Sequence, residues 1–212
     1  MSEKGILFII SAPSGSGKST LVANLLHNVP NLTFSVSYTT RKPRGNETDG
    51  IEYYFVTENE FKAMIAENQF IEYAKVFDKY YGTATRKVEE ALVAGKDVVL
   101  DIDTEGATQV KKKMPESVSI FIMPPSYAAL KTRLENRKSD NEETIMKRLS
   151  WASQAEIYRF RNYDYVVVNE DIDLSYELLK SIICAERCRT ERMHHRVESI
   201  IKTFGGILID KQ

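Results

Sequence analysis

The stretch Gly5-Ile-Leu-Phe-Ile-Ile-Ser-Ala-Pro-Ser-Gly-Ser-Gly-Lys-Ser-Thr20 sets the fold of this chain. Its first half, up to Ile10, is an uninterrupted apolar run, the pattern of a strand buried on both faces and therefore central in a parallel sheet. Beyond the loop, Lys18 to Asn28 carries Leu21, Val22, Leu25 and Leu26 at helical spacing, and Pro30 ends it. Strand, glycine loop and helix in this order make a phosphate-binding loop. Its glycines let backbone N–H groups turn inward around phosphate oxygens at the positive end of the helix dipole. The pattern assigns Ala12, Ser14, Gly15, Ser16, Gly17, Lys18, Ser19 and Thr20 to a nucleoside triphosphate. Lys18 reaches its β and γ phosphates and the Ser19 hydroxyl reaches Mg²⁺. Ala12 stands where the pattern has its first glycine, and it fits if its φ is negative.

Outward from that loop, Val98-Val-Leu100, Ser119-Ile-Phe-Ile-Met123 and Tyr165-Val-Val-Val168 are further short buried strands separated by helical patterns. The expected fold class is α/β, a mainly parallel sheet core with helices on both faces. Asp101, closing its strand, falls where a second strand delivers a carboxylate near the metal. Between about Thr33 and Gly82 the character changes: alternation in Thr33 to Tyr38, turn residues from Pro43 to Gly50, and aromatic segments Tyr53-Tyr-Phe55 and Phe70-Ile-Glu-Tyr73. This reads as a small, largely β lobe with one helix near Glu58 to Glu67. Tyr127 to Glu135 is helical, Asn136 to Asn141 is a charged loop with the make-up of a flap, and Glu142 to Arg161 reads as one long polar helix. A last helix, continuous or broken, runs from Leu174 to Phe204 with Leu178, Ile182, Ala185, Cys188 and Met193 as its apolar residues.

A chain of 212 residues with 42% apolar and 28% charged residues buries one good core. The expected organisation is a single domain, 1–212, with core segments 1–32, 84–136 and 149–212, a lobe at 33–83 and a lid at 137–148. The apolar runs are too short to span a bilayer and Met1 to Gly5 shows no leader pattern, so a cytoplasmic protein without membrane partners is expected. A net charge of -1 argues against nucleic-acid coating, while clusters Arg41, Lys42, Arg44 and Lys131, Arg133, Arg137, Lys138, Lys147, Arg148 suit a compact polyanion. Cys184 and Cys188 read as free structural thiols. His27, His194 and His195 read as surface residues, since adjacent histidines on a helix point about 100° apart. Ile200, Ile201 and Phe204 fit either core packing or a homo-oligomer interface.

Five segments in order resemble the guanylate kinase family: Ser11 to Thr20, Ser35 to Arg44, Phe70 to Tyr73, Tyr80 to Thr83 and Leu100 to Asp103, within a match extending to about Asn169. The resemblance implies ATP and GMP as substrates, ADP and GDP as products, and Mg²⁺ as cofactor, with dGMP left open. It assigns Ser37, Arg41, Arg44, Tyr53 and Tyr81 to the GMP phosphate, which suits guanidinium forks and tyrosine hydroxyls. It assigns Glu72, Thr83 and Asp103 to guanine, with Thr83 where the family also has serine. Arg133, Arg137 and Arg148 resemble lid arginines that act with Lys18 and Arg44 on the transferring phosphoryl group, and Asn169 a residue near adenine. Partner-binding modules of this shape lose the loop lysine or the phosphate arginines, whereas Lys18, Ser19, Arg41 and Arg44 are all present. Glu72 discriminates against kinases for other monophosphates.

Overall fold

The computed structural model describes residues 4–76, 78–136 and 142–205. Strand β1 (Leu7–Ser11) pairs in parallel with β7 (Asp97–Asp101) on one side and β8 (Val118–Met123) on the other. Outside these lie β2 (Leu32–Phe34) and β9 (Tyr165–Val168), giving a five-stranded, wholly parallel sheet in the order β2-β7-β1-β8-β9. Side chains of β1 alternate between two cores, as the period of two requires. Phe8 and Ile10 meet Leu21 and Leu25 of α1 (Lys18–Asn28) and Leu179 and Ile183 of α7 (Ile172–Arg187). Leu7 and Ile9 face Val88 and Leu92 of α3 (Thr85–Val93) and Val110 of α4 (Thr104–Lys113). Both faces of the sheet are thus covered, and β1 is buried along its whole length.

A second, four-stranded sheet has the order β4-β3-β6-β5, from β3 (Ser37–Thr39), β4 (Tyr53–Phe55), β5 (Phe70–Val76) and β6 (Lys79–Ala84). Helix α2 (Glu58–Ala66) sets Phe61 against it and begins with a reciprocal Thr57/Glu60 capping box. Edge strand β5 is tied to the main body by α4. The Gln109 carboxamide accepts from Tyr73 N–H at 3.1 Å and donates to its carbonyl at 3.0 Å, taking the place of a neighbouring strand. Lys113 donates to the Phe70 carbonyl at 2.7 Å.

Three expectations are corrected. The alternation from Thr33 to Tyr38 is two strands, β2 in the large sheet and β3 in the small one, with Ser35 and Val36 crossing between them. Glu142 to Arg161 is not one α-helix: α6 (Glu142–Trp151) passes into a wide π turn at Ala152–Glu156 and a tight 3₁₀ segment at Ile157–Asn162. The C-terminal helix is the broken alternative, parting at Cys188 and Arg189 into α7 and α8 (Thr190–Thr203), but its expected apolar face is corrected: α7 buries Ser175, Leu179, Ile183 and Glu186 while Leu178 and Ala185 face solvent. Leu178 loses to Leu179 because the face is fixed by the neighbouring core, and the burial of Glu186 is offset by its ion pair with Arg189 at 2.8 Å. Both cysteines are free and exposed, Cys188 at the helix end. No residue of α8 is buried, so core packing does not account for Ile200, Ile201 and Phe204. No described helix is long and apolar enough to cross a membrane.

The end of α7 is pinned to the sheet by a charge pair. Asp97, 3% exposed, accepts from Ile6 N–H at 2.7 Å and from Arg187 Nε at 2.7 Å, and Arg187 also donates to the Pro30 carbonyl at 2.9 Å. Removing one partner leaves an uncompensated buried charge. Arg187→Met is expected to lower stability by about 2–4 kcal/mol in urea unfolding, and adding Asp97→Asn to recover part of that loss.

Candidate active site

Lys18, Asp101, Asp103 and Asn169 stand at the C-terminal edge of the parallel sheet, where the chain leaves β1, β7 and β9. After Ser11 the backbone turns through Gly15 (φ 93°) and Gly17 (φ 87°), both in the left-handed region, and enters α1 at Lys18. The turn at Gly17 also needs the absence of a side chain, since a Cβ would lie 2.4 Å from Asn169 Nδ2. Ala12 is not among the residues with positive φ, so it meets the condition set by the sequence pattern.

Lys18 is held at the mouth of this loop by an ion pair with Asp101 and a 3.2 Å hydrogen bond to the Ile102 carbonyl. Ser19 and Thr20 are exposed beside it in the first turn of α1. Ser19 hydroxyl and Asp101 carboxylate are hard oxygen donors of the kind Mg²⁺ takes alongside water and phosphate oxygens. Among the described residues no group of three or more His, Cys, Asp or Glu is placed to hold a metal ion.

Three residues from later elements lie on the loop. Asn169 Nδ2 donates to the Ser16 carbonyl at 2.7 Å, while its buried Oδ1 has no partner among the described residues. Arg133, on α5 (Tyr127–Asn136), donates to the Asn169 carbonyl at 2.9 Å and keeps a buried, unpartnered Nη1. Arg148 on α6 donates to Ser14 Oγ at 2.9 Å. Arg137 lies outside the described residues.

Next to Asp101 opens a cleft of about 350 Å³ lined by Ser37, Tyr53, Glu72, Tyr81 and Asp103, with Asp101 on its wall. Glu72 reaches it through a bulge in β5: the register slips between Phe70 and Glu72, so Ile71 enters the main core and Glu72 turns to the cleft. Thr83 Oγ1 donates to Glu72 Oε1 at 2.6 Å and lies 3.3 Å from Ser37 Oγ, so three expected GMP residues form one hydroxyl–carboxylate chain. Asp103 caps α4 by accepting from Gly106 N–H at 2.8 Å. Gly106 is a close approach, since a Cβ there would come within 3.0 Å of Glu72 Oε2.

Two of these residues are held in ways the sequence does not show. Glu72 is neither solvent-facing nor paired with Lys75, which bonds Asp78 at 3.2 Å; it is 6% exposed. Burial, with a further contribution from Asp103, pushes its carboxyl up to about 7, so with only protein groups around it the side chain is not fully ionised at neutral pH. Arg41 does not project a free guanidinium. Its fork is closed on Glu47, Nη1 to Oε2 at 2.8 Å and Nη2 to Oε1 at 2.9 Å, over the Tyr53 ring at 5.2 Å. Exposed Arg44 contributes its backbone N–H to the same Glu47 carboxylate at 2.7 Å.

Glu156 was not anticipated. The π turn brings its carboxyl into the field of Asp103, Lys18 and Arg159, and burial first, then Asp103, raises it to about 7. A glutamate in a polar helical stretch carries no signal of this, because the widened turn that aims it is not written in the periodicity.

A parallel sheet whose first strand feeds a glycine loop, with arginines over the loop and a polar cleft beside it, defines a phosphate-loop phosphotransferase. The family model described as guanylate kinase matches residues 4–186. The guanylate kinase of Koribacter versatilis is 52% identical over 188 residues, covering 87% of this chain and 80% of that protein. That of Escherichia coli K12 is 48% identical over 200 residues, covering 93% and 96%. The crystal structure of guanylate kinase from Anaplasma phagocytophilum superposes with a TM-score of 0.72 at 35% identity, covering 91% of both chains. The chain belongs to the guanylate kinase family.

The raised Glu72 carboxyl makes a prediction with a definite sign. From the ordinary carboxylate range up to about pH 7 the folded, ligand-free chain binds more protons here than the unfolded chain, so this group removes stability as pH rises through that window. Glu72→Gln abolishes that slope while keeping an acceptor for Thr83. Without ligand, the variant is expected to gain roughly 1–3 kcal/mol relative to wild type between about pH 5 and about pH 8. Urea unfolding across that range checks it; a constant difference would contradict the assignment.

Proposed function

We propose that this chain transfers the γ-phosphoryl group of ATP to GMP, giving ADP and GDP, with dGMP as a further acceptor, for guanine nucleotide synthesis and recycling. The observation that carries it is the convergence of Ser37, Tyr53, Glu72, Tyr81 and Asp103 on one cleft that shares Asp101 with the lysine of the phosphate loop. In this reading the loop holds the triphosphate, with Asn169 at its adenine end offering Oδ1 as a free acceptor. Ser19 and Asp101 would hold Mg²⁺, which when bound would offset the charge of the phosphates.

The reaction has a loose transition state, so the protein positions the groups and neutralises charge rather than abstracting a proton from a poor acid. Lys18 leaves Asp101 for the phosphates. Arg133 supplies its unpartnered Nη1, with Arg137 and Arg148 completing the lid and Arg44 acting from the other side. Arg41 exchanges Glu47 for the GMP phosphate, joined by Arg44, Tyr53, Tyr81 and Ser37. Guanine offers two adjacent donors, N1–H and N2–H, to Glu72, and this draws the carboxyl into its ionised form. Thr83 fixes one oxygen of that carboxylate and Asp103 adds an acceptor. The lobe at 33–83 and the lid at 137–148 close on the core so that groups from separate segments meet around one phosphoryl while water is excluded. A cytoplasmic location and self-association through the uncovered side of α8 belong to the same reading.

Three measurements test it. Lys18→Ala is expected to lower turnover by about 10²–10³ with the fold intact, and retention within about twofold would refute the loop's role. ADP release with each of the four nucleoside monophosphates is expected to select GMP. Glu72→Gln is expected to lower kcat/KM for GMP by roughly tenfold or more and to shrink the GMP-to-AMP ratio, with ATP affinity nearly unchanged. An unaltered ratio would remove Glu72 from the base site.

A further inference from the structure

Strands of the small sheet present alternate residues to two faces. Ser37 and Tyr53 line the cleft, so their neighbours Tyr38 and Tyr54 point to the other face, where the two rings stack 4.7 Å apart. That face borders two cavities, of about 660 and about 150 Å³, which share Lys87. The larger is lined by Tyr38, Gln69 and the first turn of α3, the smaller by Ser35, Tyr54 and Val98 of the large sheet. Their walls include both places where the chain passes between the sheets: Ser35–Val36, and Ala84 leading into α3.

Three features of this groove favour an oxyanion. Ser35 is 8% exposed, and its buried Oγ has no hydrogen-bond partner among the described residues. A buried hydroxyl in that state asks for one. Lys87 makes a ring contact, Nζ to the Tyr54 centroid at 5.7 Å, and has no carboxylate partner among the described residues. Helix α3 starts from Ala84 without a side-chain cap, so the N–H groups of Arg86 and Lys87 have no partner within the helix. Arg86 is already neutralised by Glu90 at 2.7 Å and Glu89 lies on the wall, so Lys87 is the groove's available cation among the described residues.

We propose that this groove binds a small phosphate-type oxyanion through Lys87 Nζ, the Ser35 hydroxyl and the first-turn amides of α3. Because the ligand touches both crossings, it biases how the small sheet moves against the large one. The coupling rests on the closure proposed above; the binding does not.

The test uses the whole chain saturated with GMP and ADP, so that the phosphate loop and the Arg41 loop are filled. Inorganic phosphate and, separately, glycerol 3-phosphate are titrated while the amide signals of Ser35, Arg86 and Lys87 are followed by NMR. Saturable shifts at these amides are expected. They should weaken at least tenfold in Lys87→Met, whose remaining spectrum reports an intact fold, and similarly in Ser35→Ala. Whichever probe binds more tightly tells free phosphate from an esterified one. Absent shifts, or shifts unchanged in Lys87→Met, overturn the site. Repeating the titration without GMP tests the coupling: by reciprocity the affinity should change severalfold. Equal affinities that Lys87→Met still abolishes overturn the coupling, while failure of the GMP-to-AMP test with these shifts intact refutes the base reading and not the site.

Discussion

Burial of β1 on both faces is the constraint on which the rest of the structure depends. A strand with no solvent face cannot carry a charged side chain along its length, so chemistry is confined to where it and its neighbours end. Lys18, Asp101, Asp103 and Asn169 all stand at or just beyond strand termini, where backbone N–H groups and carbonyls that no strand satisfies become available. The sheet is therefore the jig that sets their mutual distances.

The polar groups of the site satisfy one another. Lys18 rests on Asp101, Arg41 on Glu47, Glu72 on Thr83, and Asn169 on the loop it braces. Each pair holds a polar group in place without leaving it bare. Glu47 keeps part of its side chain in solvent, whereas Glu72 is buried and its carboxyl is pushed up to about 7 by that burial.

Much of this was legible in the sequence. The loop, strands β1, β7, β8 and β9 and the small β lobe were readable because glycines and apolar runs each have one dominant physical use, while the polar residues of the cleft came from the resemblance. The features that escaped are those fixed by neighbours. Leu32 to Phe34 shares its alternation with the following strand, and a period of two says nothing about which sheet a residue joins. The buried side of α7 runs through Ser175 and Glu186, polar residues rescued by local partners. The protonation of Glu72 depends on a bulge and on a glycine one helix away. Glu156 depends on a turn of unusual width.

That wide turn has an implication for how the family's chains can vary in length. Five residues, Ala152 to Glu156, occupy an arc that an ordinary helix covers with about one fewer, so the segment stores a single residue of slack between the arginine-bearing α6 and the ion pair of Arg159 with Glu105. Losing one residue there would turn the wide turn into ordinary helix and keep the segments on either side in register, whereas the same loss within α6 would rotate everything beyond it by about 100°. The spacing between Arg148 and Arg159 can thus shorten by one residue at this turn, and at no regular turn of α6, without re-aiming either arginine.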